Sequence, residues 1–150
     1  MQYYTQSPDA VAQITGGAEA PQLSGCVEFY QENRCVLIVA KISGLPKASE
    51  TGFFGFHIHE GRECFGVAFS STEGHYNPSG QAHPKHMGDL PPLLQCRGNA
   101  YMSVKTDRFS VNEIIGRTVV IHSDPDDFHS QPAGNAGKKI ACGVICKGRY

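Results

Sequence analysis

The sequence has few charges, no long apolar run and no closely paired cysteines, and each lack removes a class of protein. Charged residues make up 18% of the 150-residue chain and the formal net charge is −1. No basic field therefore argues for a nucleic-acid partner. An apolar fraction of 40% is too high for disorder driven by charge. The longest apolar run, Val36–Ala40, falls far short of the ~20 residues that a membrane-spanning helix needs, so no membrane partner is expected. No CxxC pair occurs among the six cysteines, which removes the zinc ribbon and the thioredoxin-type redox motif. No HExxH pairing occurs either, which weakens a zinc-hydrolase reading. Met1 to Gln6 shows neither a basic start nor an apolar core. The expected location is cytoplasmic, the alternative being export with a leader already removed.

What is present reads as all-β. Short runs at Val11–Thr15, Gly25–Tyr30, Cys35–Ile42, Phe53–His59, Ala100–Val104, Thr118–His122 and Lys139–Ile145 carry β-branched and aromatic residues between Gly- and Pro-bearing turns. Helical periodicity is weak, and no repeat or linker divides the chain. The expectation is a single domain over residues 1–150, folded as an antiparallel sandwich or barrel. Leu37 and Val39 fall on the outward face of the Cys35–Ile42 run. They are either ordinary exposed surface or a subunit contact.

Two segments lack any strand pattern. Gly61–Pro92 holds three His, four Pro and five Gly, and Ser123–Gly137 holds four Asp or His side chains. Irregular stretches this long inside a compact domain are usually functional or tied down.

The seven histidines concentrate around these segments. His57 and His59 are two apart in a strand, so both rings share one face at roughly 6.5–7 Å spacing. Alone, a His-x-His pair is more often a solvated strand face. His75, His83, His86 and Asp89 follow in the long irregular segment, a set suited to tetrahedral zinc. Taken singly each is a polar loop residue, but a metal would offset the ordering cost of the whole segment. His122 ends the apolar run Val119-Val120-Ile121, and His129 reads as a solvated loop residue.

Several motifs then resemble one family. Gly55-Phe56-His57-Ile58-His59-Glu60, Gly74-His75-Tyr76-Asn77-Pro78 and His86-Met87-Gly88-Asp89-Leu90 look like the metal-site motifs of copper/zinc superoxide dismutase. Ile115 through His122, Gly134-Asn135-Ala136-Gly137 and Ala141 through Ile145 match as well, in order, so that the resemblance spans about Val11 to Ile145. It implies an eight-stranded antiparallel Greek-key β-barrel with two long functional loops. It also implies dismutation of superoxide anion to O2 and hydrogen peroxide with copper and zinc as cofactors. The implied copper ligands are His57, His59, His75 and His122, and the implied zinc ligands are His75, His83, His86 and Asp89. His75 would bridge the two metals and supply a proton. Asp126, with Asp127 as a weaker substitute, would hydrogen-bond one ligand histidine from each site. Cys64 and Cys142 would form a disulfide, leaving Cys26, Cys35, Cys96 and Cys146 as extras. The resemblance leaves the subunit arrangement open between a homodimer, through one face or another, and a monomer.

Two departures from the family stand out. The interval from His83 to His86 is short, which trims the zinc loop. Lys139 stands where the family usually has an arginine over the copper channel, keeping the charge but losing the planar donor fork. The competing reading is a non-enzymatic metal-binding or copper-handling protein of the same fold. Relatives of that kind lack a copper ligand, whereas all four copper positions here are histidine.

Overall fold

The computed structural model describes residues 6–47 and 50–148. Among them the strands are β1 (Ala10–Gly16), β2 (Ser24–Gln31), β3 (Val36–Ser43), β4 (Phe53–Phe54), β5 (Phe56–His59), β6 (Leu93–Leu94), β7 (Ala100–Thr106), β8 (Thr118–His122) and β9 (Lys139–Lys147). A 3-10 segment at Val67–Thr72 and one helical turn, α1 (Val111–Ile114), interrupt them. Seven strands form one curled sheet in the order β5-β8-β9-β1-β2-β3-β7, and β4 pairs with β6. Every pairing is antiparallel. The β4–β6 ribbon spans the gap between the sheet's edges, because β6 lies beside β7 and β4 runs directly into β5. The antiparallel barrel expected from the sequence is therefore present.

Alternation explains which side chains fill it. Val27 and Phe29 of β2 and Val36, Ile38, Ala40 and Ile42 of β3 point into one core with Phe54, Phe56, Ile58, Val119 and Ile121. Burying one such side chain contributes about 1.5–3 kcal/mol relative to leaving it exposed. The outward residues Leu37 and Val39 are not free surface. They are buried with Tyr30 in a second apolar cluster, since Tyr30 lies opposite Leu37 across the β2–β3 ladder. The Tyr30 hydroxyl donates to Glu28 Oε2 at 2.8 Å, and Lys41 pairs with the same carboxylate at 3.3 Å. Neither alternative raised for this strip, open surface or subunit contact, finds Leu37 and Val39 exposed.

The run Phe53–His59 is not one strand. It breaks at Gly55, whose N–H donates to Asp124 O while its carbonyl accepts from His122 N. A Cβ there would come within 2.8 Å of the Ala136 side chain, so the second loop sits directly against the backbone. β4 and β5 thereby join different sheets, and the histidines of β5 lie beneath that loop.

Candidate metal centre

β5 is the platform. On one edge it pairs with β8, His57 opposite Val120 and His59 opposite Thr118. On the other edge the first long loop completes its ladder: Ile58 N donates to Gly88 O, Tyr76 N to Ile58 O and Glu60 N to Gly74 O, all at 2.8–2.9 Å. These backbone bonds set His75 against His59 and Asp89 against His57. His122 enters from the end of β8, on the face shared with Val120 and hence with His57. A disulfide between Cys64 and Cys142, with Cα atoms 5.7 Å apart, ties the loop to β9.

Two groups of donor atoms result, each with its members within 4.8 Å of one another: His57, His59, His75 and His122, and His75, His83, His86 and Asp89. His75 belongs to both, and all seven residues are buried. The short interval from His83 to His86 still lets both rings and Asp89 converge. His129, with its side chain 80% exposed, stays outside as expected.

The ring nitrogens show what these groups are built to hold. The His57 Nε2–H donates to Asp126 Oδ2 at 2.7 Å, which leaves Nδ1 bare, buried and unpartnered. The His59 Nδ1–H donates to Glu73 O at 2.9 Å, so its Nε2 lone pair faces His122 Nε2 at 3.2 Å. His75 places Nδ1 at 2.7 Å from Asp89 Oδ1 and leaves a buried Nε2 without a partner. The His83 Nε2–H donates to Asp126 Oδ1 at 2.8 Å, turning Nδ1 toward Asp89 Oδ2 at 3.0 Å. Buried lone pairs that face one another repel unless a cation lies between them. The donor sets suit two different ions: four imidazoles fit copper, and three imidazoles with a carboxylate fit tetrahedral zinc.

Titration behaviour agrees with that reading. Burial, reinforced by neighbouring histidines, holds His57 and His59 below the ordinary imidazole range and lowers His122 to about 3. The rings are therefore neutral with their lone pairs available. Burial pushes the Asp89 and Asp126 carboxyls upward. Hydrogen bonds from His75 to Asp89, and from His57, His83 and Phe128 N–H to Asp126, more than reverse this and keep both ionised. Asp126 thus joins one histidine of each group, orienting both rings. Asp127 does not reach the site, because its carboxylate accepts from Ser130 and from the His129 N–H.

Two supporting residues, Gln131 and Arg108, carry no signal in the sequence. Gln131 clamps His83 at both backbone groups, accepting from its N–H at 3.0 Å and donating to its carbonyl at 2.7 Å. Arg108 Nη1 lies 3.0, 3.1 and 3.2 Å from the carbonyls of Pro84, His86 and Asp89. Gly134, at φ +68°, passes so close to the site that a Cβ would come within 2.1 Å of Asp126 Oδ1 and 2.6 Å of His83 Nε2. A register shift between Ile121 and His122 places Lys139 opposite His122. The Lys139 ammonium donates to Thr72 Oγ1 and Glu73 O, each at 2.8 Å. Its charge is felt by both His59 and His122.

The comparisons with known proteins point the same way. A family model for copper/zinc superoxide dismutase matches residues 23–145. Two relatives from Aquifex aeolicus (strain VF5), superoxide dismutase [Cu-Zn] 2 and superoxide dismutase [Cu-Zn] 1, are 41% and 40% identical. The alignments cover 83% and 81% of this chain and 80% and 79% of theirs. Superoxide dismutase [Cu-Zn] 3 of Arabidopsis thaliana is 35% identical over 91% of this chain and 88% of its own. With bare imidazole nitrogens converging in two groups that share His75, and with most of its length matched, the chain belongs to the copper/zinc superoxide dismutase family.

Proposed function

We propose the following division of labour for this enzyme, which converts two superoxide anions into O2 and hydrogen peroxide. His57, His59, His75 and His122 hold copper, and His75, His83, His86 and Asp89 hold zinc. When bound, copper supplies the one-electron redox step, and zinc supplies a fixed positive charge without redox chemistry. The remaining steps belong to side chains. Lys139 attracts the anion and offers it a hydrogen bond. With Nδ1 committed to zinc, His75 would hold a proton at Nε2 whenever that nitrogen carries no copper, and would pass it to the second superoxide. Water supplies the second proton, which balances the formation of hydrogen peroxide. Asp126 keeps His57 and His83 in the tautomer that turns each Nδ1 inward.

The observation that carries this reading is the pair of bare, buried nitrogens on His57 and His75, aimed at the other donors of the two groups. Metal analysis of the purified protein, followed by a superoxide assay after copper loading, tests it. The expected result is one copper and one zinc per chain with fast turnover. A zinc-only protein that stays inactive after copper loading would return it to a non-enzymatic metal-binding role.

A further inference from the structure

An ammonium on a four-carbon stem rotates freely and presents no fixed donor pattern, unlike a guanidinium. Lys139 is nevertheless held at two points, Thr72 Oγ1 and Glu73 O. Thr72 is fully buried, and its own hydroxyl hydrogen is committed to Phe69 O at 2.8 Å. Toward Lys139 that oxygen can only accept. Glu73 O also accepts from His59 Nδ1, so one carbonyl fixes both an imidazole of the copper group and the ammonium. Glu73 has φ 60° and ψ −148°, a backbone conformation that costs energy for any residue with a Cβ. The carbonyl is thus held at this spot against local preference. With two of its hydrogens engaged, the Lys139 ammonium has a third without a partner among the described residues.

We propose that Thr72 is a positioning residue for Lys139: its hydroxyl, with the Glu73 carbonyl, gives the ammonium the fixed orientation that an arginine has from its own geometry. The third N–H then points at one anion position instead of sweeping many. This rests on the role given to Lys139 above, and the test separates the two.

The test uses the copper- and zinc-loaded protein, with azide as an anion probe followed in the visible spectrum and superoxide turnover measured in parallel. Thr72→Val is expected to weaken azide binding roughly three- to tenfold, the worth of one hydrogen bond. Turnover at limiting superoxide falls with it, at unchanged metal content, and Thr72→Ser restores both. Lys139→Met weakens azide on its own, and adding Thr72→Val to it causes no further loss. Wild-type azide affinity in Thr72→Val, or an equal loss on both backgrounds, overturns the assignment of Thr72 and leaves the role of Lys139 intact. Unchanged azide affinity in Lys139→Met overturns both. A measurement on the unmutated chain guards against a variant that does not fold. In the copper-free, zinc-loaded protein, the Lys139 ammonium gives NMR relaxation of an ordered group, and relaxation typical of a free surface lysine would likewise overturn the inference.

Discussion

At the scale of single residues, the centre depends on nitrogen atoms that are neutral because they are buried. This has a consequence for the metal-free protein. His122 titrates at about 3 in the folded chain against an ordinary 6.5, with His57 and His59 also lowered. Between those limits the unfolded chain binds more protons, so stability falls as pH drops from about 6.5 toward 3. Asp89 and Asp126 lie below their ordinary 3.8, so they stay ionised across most of that window and do not offset the loss. Urea midpoints of the metal-free protein should decline between pH 7 and pH 5, and a flat profile would contradict the burial argument. Lys139 supports a second expectation. Replacing it with Glu exchanges attraction for repulsion at the point where the anion arrives. The superoxide rate should drop by roughly tenfold or more, and added salt should raise it instead of lowering it. A rate that keeps its wild-type salt slope would remove Lys139 from anion guidance.

At the scale of elements, what was legible in the sequence followed whether a feature was periodic or local. The alternation that set Val27 and Phe29 inward, and the His57–His59 pair on one strand face, obey the period of two and could be read directly. The break at Gly55 could not, because it is caused by Asp124 and Ala136, residues far away along the chain. The same holds for the register shift that brings Lys139 opposite His122, and for the clamps by Gln131 and Arg108. The shift lies in the β8–β9 ladder, and both clamps depend on one loop packing over another. α1 is a single turn, with the Glu113 carboxylate accepting from the Ser110 N–H and hydroxyl, and it is too short to show periodicity. Gly134 joins these non-local features and can be tested. Gly134→Ala meets a positive φ and would push a methyl group into Asp126 and His83. The second loop must retreat, and the Asp126 link loosens. Zinc affinity, measured by competition with a chromogenic chelator, should fall by about 10- to 100-fold, the usual range when such a supporting contact to a ligand is lost. Unchanged zinc retention would mean that the loop is not held as described.

At the scale of the whole molecule, a net charge of −1 gives superoxide no overall attraction, so steering rests on local charge around Lys139. The molecule is likewise divided in what holds it together. The β1–β2–β3 side of the barrel relies on apolar packing and long ladders. The loops of residues 61–92 and 123–137 rely on β5, the Cys64–Cys142 disulfide and side chains converging on the metal groups. Removing both metals leaves the repelling lone pairs of His57, His59, His75 and His122 uncompensated, while the disulfide still ties the first loop to β9 and contributes about 2–5 kcal/mol. Metal loss should therefore loosen the loops without opening the barrel. Stability falls because binding favours only the folded state, but the loss is uneven. Hydrogen exchange on the chelated protein should show lost protection at Ile58, Tyr76 and Gly88, whose amides join the loop to β5 or bond across it. Val27, Phe29 and Ile38 should stay protected. Uniform deprotection would show instead that the metals hold the barrel itself, and that the apolar core of β1–β3 is not sufficient without them.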